Sequence, residues 1–372
     1  MKIVVACDSF KGCLSAKKVC AAIKSGILLE NPSAEVVLLP MSDGGEGFSQ
    51  CFYDNCGGDI IETTVSNPIM QDTKAEYVML PYKTSVIETA AASGIMTLDK
   101  NKLSPLKTTT YGTGELIADA VKRGAKHIIL GLGGSATNDG GMGVLSALGV
   151  RFYNENREVL FPNGDFSRRV GTLELTDSFY RYKDIKFTLA CDVQNPYYGK
   201  NGAAYVFAAQ KGADSDMIIK LDRGLENLAR VFKEYNGVDL QSVKGAGAAG
   251  GLCGGMYAML DCKIESGFET LCTAINFEEK IKDADLIITG EGKTDIQTAF
   301  GKLPKRVADK AGRQNIDCIL ISGDISDNAE IEKLGFCKTY KLKADNKTTD
   351  YAIKNAANLL EKTAAEMIRM RK

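Results

Sequence analysis

The chain contains no tryptophan, a single histidine (His127) and only eight prolines among its 372 residues. One histidine cannot complete a paired Cys/His ligand set, and no two of the eleven cysteines stand in a C-x-x-C spacing, so a structural zinc site is not expected. Nor is a disulfide framework, which belongs to short secreted chains. The N-terminus MKIVVACDSF runs straight into a strand pattern without the zones of a signal peptide, and a cytoplasmic location with reduced thiols is expected. The longest uncharged stretch, Gly245 to Leu260, is glycine-rich and falls short of the roughly 20 apolar residues of a membrane span. An excess of one charge is missing too: 46 Lys plus Arg stand against 47 Asp plus Glu, with no long basic run. That excludes the electrostatic footprint of a nucleic-acid or membrane-surface binder and leaves a small molecule as the expected partner.

What is present reads as an ordinary globule, 44% hydrophobic and 25% charged, long enough for two domains. Short apolar runs rich in β-branched residues recur at Ile3–Cys7, Val36–Leu39, His127–Leu130, Leu286–Thr289 and Cys318–Ser322, the pattern of buried parallel strands in an α/β fold. After the first run, Ser15 can cap a helix carrying Val19, Ala22, Ile23 and Ile27 on one face. A second helix is expected over Thr113–Val121 with Gly124 as its stop, and an amphipathic one over Ala352–Met370. The Gly/Ala tract Gly245–Gly255 reads equally as linker, hinge or packed helix start.

Four loops combine glycine with acidic, hydroxyl or basic residues: Asp8-Ser9-Phe10-Lys11-Gly12, Asp43-Gly44-Gly45-Glu46-Gly47, Gly131 to Gly141, and Gly290-Glu291-Gly292-Lys293-Thr294-Asp295 with Gly301-Lys302 beyond. Glycine lets backbone N–H groups approach an anion, lysine adds point charge, and magnesium asks for one or two carboxylates beside phosphate oxygens. Phosphoryl transfer needs this mixture, and with one histidine the acid–base work falls to carboxylates or lysines. Two lookalikes intrude. Gly292-Lys293-Thr294 imitates the end of a Walker A motif, but Ile287 stands where its first glycine belongs. Gly131-Leu132-Gly133-Gly134-Ser135-Ala136 satisfies the loose dinucleotide pattern and makes an NAD(P)-linked hydroxy-acid dehydrogenase the rival reading, with a non-catalytic ligand-binding homologue as a third. Against the rival, Thr137-Asn138-Asp139-Gly140-Gly141 prolongs the loop and puts a negative charge near the would-be pyrophosphate.

The ordered series of segments resembles the bacterial type I glycerate kinases over nearly the whole chain. It is carried by Asp8–Gly12 with Leu14-Ser15-Ala16, Ser42–Gly47, Glu88–Gly94, Gly112–Ile117 and Gly133–Gly141, then by Ala190–Val193, Gln210–Ala213, Gly245–Gly251 and Thr289–Gly292. The resemblance implies an α/β fold of two domains: a flavodoxin-like (Rossmann-type) parallel-sheet domain, residues 1–62 plus 288–372, with a second α/β domain, residues 63–287, inserted in it and an active-site cleft between them. It also implies ATP-dependent, Mg2+-assisted phosphorylation of D-glycerate, usually at the 2-hydroxyl, and leaves a homodimer open. Cys7, Cys13, Phe48, Lys293-Thr294 and Ala208-Ala209 depart from the family's usual residues. Lys293 keeps the charge of an arginine but not its planar fork.

On this reading Lys11, Asp43, Asp192 and Asp295 are the expected catalytic residues. Asp8, Ser9, Gly133, Gly134, Ser135, Glu291, Lys293 and Lys302 are expected to bind ATP or the acid. Asp43, Asp139 and Asp192 are the expected metal ligands, with the base and metal roles not separated. His127 receives no role.

Overall fold

The computed structural model describes residues 1–299, 301–326, 331, 334–343 and 348–371. In chain order its strands are β1 (Lys2–Val5), β2 (Glu35–Leu38), β3 (Asp59–Ser66), β4 (Asp72–Leu80), β5 (Thr84–Glu88), β6 (His127–Gly131), β7 (Val150–Tyr153), β8 (Thr172–Leu175), β9 (Lys186–Ala190), β10 (Cys262–Glu265), β11 (Leu286–Thr294), β12 (Cys318–Ile325) and β13 (Lys338–Lys341). The chain divides into two compact units. One comprises Met1–Asp43, Gln50–Cys56 and Phe268–Lys372; the other comprises Gly44–Ser49 and Gly57–Gly267.

The first unit is built on an all-parallel sheet in the order β13-β12-β11-β1-β2. Read from β2 inward this is the flavodoxin-like doubly wound order, whose direction reverses between β1 and β11. Ile3, Val4 and Val5 on β1 and Leu286, Ile287 and Ile288 on β11 are fully buried, as strands covered on both faces must be. The helix Ala16–Glu30 begins where Ser15 accepts a hydrogen bond from the Lys18 N–H at 3.4 Å, and it packs against the C-terminal helix Ala356–Arg369. Gly26 makes that approach feasible, because a Cβ there would lie 2.0 Å from the carbonyl oxygen of Glu361.

The second unit carries a mixed sheet in the order β10-β9-β6-β5-β4-β3, parallel from β10 to β5 and antiparallel from β5 to β3, plus the separate hairpin β7-β8. Its core runs from Leu116 and Ile117 through Ile128, Leu130 and Leu189 to Leu225, Leu228 and Phe232 on the long helix Ser215–Asn236. The Gly/Ala tract forms neither linker nor hinge. It is a buried turn in which Ala249 and Gly250 take positive φ before the helix Leu252–Met259.

The unit limits differ in detail from those expected. Residues 57–62 lie in the second unit because β3 pairs with β4 from Asp59 to Ser66. Residues 268–287 lie in the first, where Lys310 reaches Glu269 at 2.9 Å and also bonds Glu278. All eleven cysteines are free thiols. No described helix is long and apolar enough to cross a membrane.

Candidate functional site

In open α/β sheets ligands bind beyond the carboxyl ends of the strands at the point where strand order reverses. In the first unit a cavity of about 360 Å³ opens at that place. The loop after β1 supplies Asp8, Ser9, Phe10 and Lys11; the chain after β2 supplies Asp43. The end of β11 and the turn that follows supply Glu291, Lys293, Asp295 and Lys302, and the end of β12 supplies Asp324. Eight of the residues expected from sequence to serve the reaction are thus brought to one cavity.

The β1 loop is held by a closed turn: Phe10 N–H donates to the Leu14 carbonyl at 2.8 Å and Leu14 N–H returns to Phe10 at 2.9 Å. Gly12 sits at φ +69° within it, a conformation a side chain would strain. This turn leaves Lys11 exposed while Asp8 is buried. Burial pushes the Asp8 carboxyl up to about 7; the neighbouring negative charges of Asp43 and Glu291 add to this, and the Ser9 N–H and Lys11 oppose it. Asp8 therefore titrates where a general base is useful. The sequence alone points to Asp8 as a binding residue, since burial and a facing carboxylate leave no local signature.

The β11 end is braced from inside. Glu291 is buried and accepts hydrogen bonds from Thr294 at 2.9 Å and Thr298 at 2.7 Å, so it shapes the turn more than it faces the cavity. Asp295 accepts from Lys302 at 3.1 Å, which fixes that ammonium at the cavity edge. Lys293, although it follows Gly292, lies within β11 and not in a loop leading to a helix. Asp324 is bridged by Lys343 at 3.1 Å and Lys341 at 3.4 Å. Phe10, Leu342, Ala352, Ile353 and Ala356 add apolar surface to the lining.

The other expected residues belong to the second unit. Gly133, Gly134 and Ser135 lie in the loop after β6, with Gly134 exposed at φ +72°. Asp192 follows β9 and is exposed; it accepts from Ser266 Oγ at 2.7 Å and from Gly267 N–H at 3.2 Å. Asp139 is different from what the sequence suggested. It is completely buried, and its two oxygens accept from Thr110 N–H (2.7 Å), Thr110 Oγ (2.8 Å), Gly141 N–H (3.0 Å) and Gly143 N–H (3.1 Å). Burial raises its pKa and these bonds oppose the rise. A carboxylate so occupied organises the glycine loop and offers little to a metal ion. His127 bonds Thr188 across the sheet at 2.8 Å. Besides Asp324, two residues of the second unit received no sequence role: Glu88, which accepts from Ser49 N–H and Oγ at 2.8 and 2.7 Å, and Lys211, buried behind Ser135. Both stand in segments that carried the family resemblance, the only local signal available for them.

Among the described residues no three His, Cys, Asp or Glu side chains form a protein-only metal cage. Magnesium does not need one, since it keeps water and phosphate oxygens in its shell.

Comparison with known proteins agrees with this architecture. The profile of the glycerate kinase family matches residues 3–372. The chain is 44% identical to a glycerate kinase of Bacillus cereus over 98% of this chain and 96% of that one. It is 41% identical to the glycerate 2-kinase of Escherichia coli K12, over 89% and 87% respectively. A crystal structure of a glycerate kinase 2 candidate from Salmonella typhimurium LT2 superposes with a TM-score of 0.90 at 37% identity, covering 100% of this chain and 98% of its own. Matched from end to end by profile, sequence and structure, the chain belongs to the glycerate kinase family, a family of phosphotransferases.

Proposed function

We propose that the protein transfers the γ-phosphoryl group of ATP to D-glycerate, with 2-phosphoglycerate as product, and that ATP binds in the cavity of the first unit. The observation that carries this is the mixed lining of that cavity, in which Lys11, Lys293 and Lys302 occur together with Phe10, Leu342 and Ile353. D-glycerate has a carboxylate and two hydroxyls on three carbons and so has no apolar face. A nucleotide has both a ring for the apolar side chains and phosphates for the ammonium groups. Family membership favours this over the dehydrogenase reading.

Lys11 and Lys302 are the point charges for the phosphates, with Asp295 holding Lys302 in place. Asp8 would take the proton of the attacking hydroxyl. Asp43 is the carboxylate of this set that would hold Mg2+, whose contribution there is to neutralise phosphate charge. The fit is supported by the mutual repulsion of Asp8 and Asp43, a negative pair that a cation would relieve. Asp192, Gly133, Gly134 and Ser135 are the ligand-facing groups we assign to the second unit.

The test is ADP release with Mg-ATP over a panel of small hydroxy acids, with the product identified by phosphorus NMR. Turnover is expected with D-glycerate, with loss on chelation and recovery on adding Mg2+. Nicotinamide reduction in place of ADP release would support the dehydrogenase; ligand-induced thermal stabilisation without turnover would support a non-catalytic homologue.

A further inference from the structure

Lys211 is 2% exposed, and its ammonium donates to Ser135 Oγ at 2.9 Å and to the Thr137 carbonyl at 2.6 Å. Among the described residues no carboxylate lies within ion-pair distance of it. Buried charges in proteins are paired or bound to ions, since an isolated one loses its hydration without return. A lysine has three donors and here uses two. The same loop holds further unspent polarity: Thr137 Oγ and both amide atoms of Asn138 are buried without a hydrogen-bond partner. The loop's mouth is Gly133-Gly134, whose backbone can come close to an anion.

We infer that Lys211 is the cation behind an oxyanion site in the second unit, with Ser135 as the donor that touches the ligand. Because the ammonium is bonded to Ser135 Oγ, the serine's own proton is left to point away from it. The missing counter-charge is then a carboxylate or phosphate of a substrate, and Lys211 acts as a positioning residue through Ser135. This rests on the kinase reading, which supplies both candidate oxyanions: the carboxylate of D-glycerate and the phosphates of ATP. Asp139 is the one charged group acting on Lys211, and it raises the lysine's pKa against a larger burial effect that lowers it to about 7. Oxyanion binding should therefore draw a proton onto the lysine.

The experiment is equilibrium binding of D-glycerate alone and of a non-hydrolysable ATP analogue alone to wild type, Lys211→Met and Ser135→Ala. In Lys211→Met the affinity for one of the two ligands is expected to fall roughly 10- to 100-fold, because the hydrogen bond that Ser135 gives the oxyanion is no longer backed by a cation. The affected ligand identifies the oxyanion. Wild-type affinity for it should weaken from about pH 7 to about pH 9, and that dependence should vanish in Lys211→Met. Folded Lys211→Met that binds both ligands as wild type does overturns the inference while leaving the kinase reading intact. If Lys211→Met does not fold, Ser135→Ala decides: several-fold weaker binding of one ligand supports the inference, and unchanged binding overturns it. Wild type that binds neither ligand and turns over no glycerate would instead remove the kinase reading on which this rests.

Discussion

Replacing Asp8 with Asn should make the protein more stable and far less active. The carboxyl titrates at 3.8 when unperturbed and at about 7 in the fold, because it is buried and faces Asp43 and Glu291. At roughly 1.4 kcal/mol per pKa unit, holding Asp8 ionised in the native state costs about 4 kcal/mol. The sign follows from proton counts. Below the unfolded pKa both states carry the proton and the penalty is absent. As pH rises from 3.8 to about 7 the unfolded chain ionises first, and wild-type stability is lost across that window. Above about 7 the penalty is complete. Asn keeps an oxygen to accept from Ser9 N–H, a bond of 2.7 Å, but carries no charge. Unfolding of wild type and Asp8→Asn, followed with chelator and without nucleotide, should therefore coincide near the low end of this window and diverge above it. Mg2+ at Asp43 should shrink the gap by stabilising the ionised form. Turnover should drop by roughly 10²- to 10⁴-fold, the contribution of a general base. An Asp8→Asn protein no more stable than wild type above about pH 7, or one with nearly undiminished turnover, refutes the reasoning.

Lys11→Met should abolish phosphoryl transfer without lowering the melting temperature, since the side chain is exposed; undiminished ADP release would remove Lys11 from the site. Asp139→Asn should act through the fold, because an amide N–H2 would face the donors of Thr110, Gly141 or Gly143. A loss of at least about 3 kcal/mol is expected in denaturant unfolding, and a fully stable variant with selectively lost Mg2+ dependence would restore Asp139 as a metal ligand. Asp192→Asn should leave stability within about 0.5 kcal/mol and lower kcat, because the carboxylate is exposed. Gly250→Ala should destabilise the second unit, since a Cβ there would meet the Thr137 carbonyl oxygen at 2.1 Å; an unchanged thermal midpoint would contradict this.

The sequence by itself determined what depends on neighbours along the chain. The apolar runs at Ile3, Val36, His127, Leu286 and Cys318 all became strands within a residue or two of their expected starts, because strands buried on both faces demand continuous apolar side chains, only the edge strand β2 being half-buried. Ser15 became a helix cap, and three of the four glycine loops became loops at strand ends, while Gly290–Thr294 continued β11 as strand. Tertiary structure decided what those elements face. Only the parallel pairing of β1 with β11, residues some 280 positions apart, sets Asp8 beside Glu291. Only enclosure by Thr110, Gly141 and Gly143 turned Asp139 from an apparent metal ligand into the organiser of its own loop. Lys211 was one lysine among many until burial took it out of water with Asp139 as the one charge acting on it. Propensity and periodicity are local and can be read one window at a time. Desolvation and charge pairing are sums over whatever the fold brings near, and no window of sequence contains them.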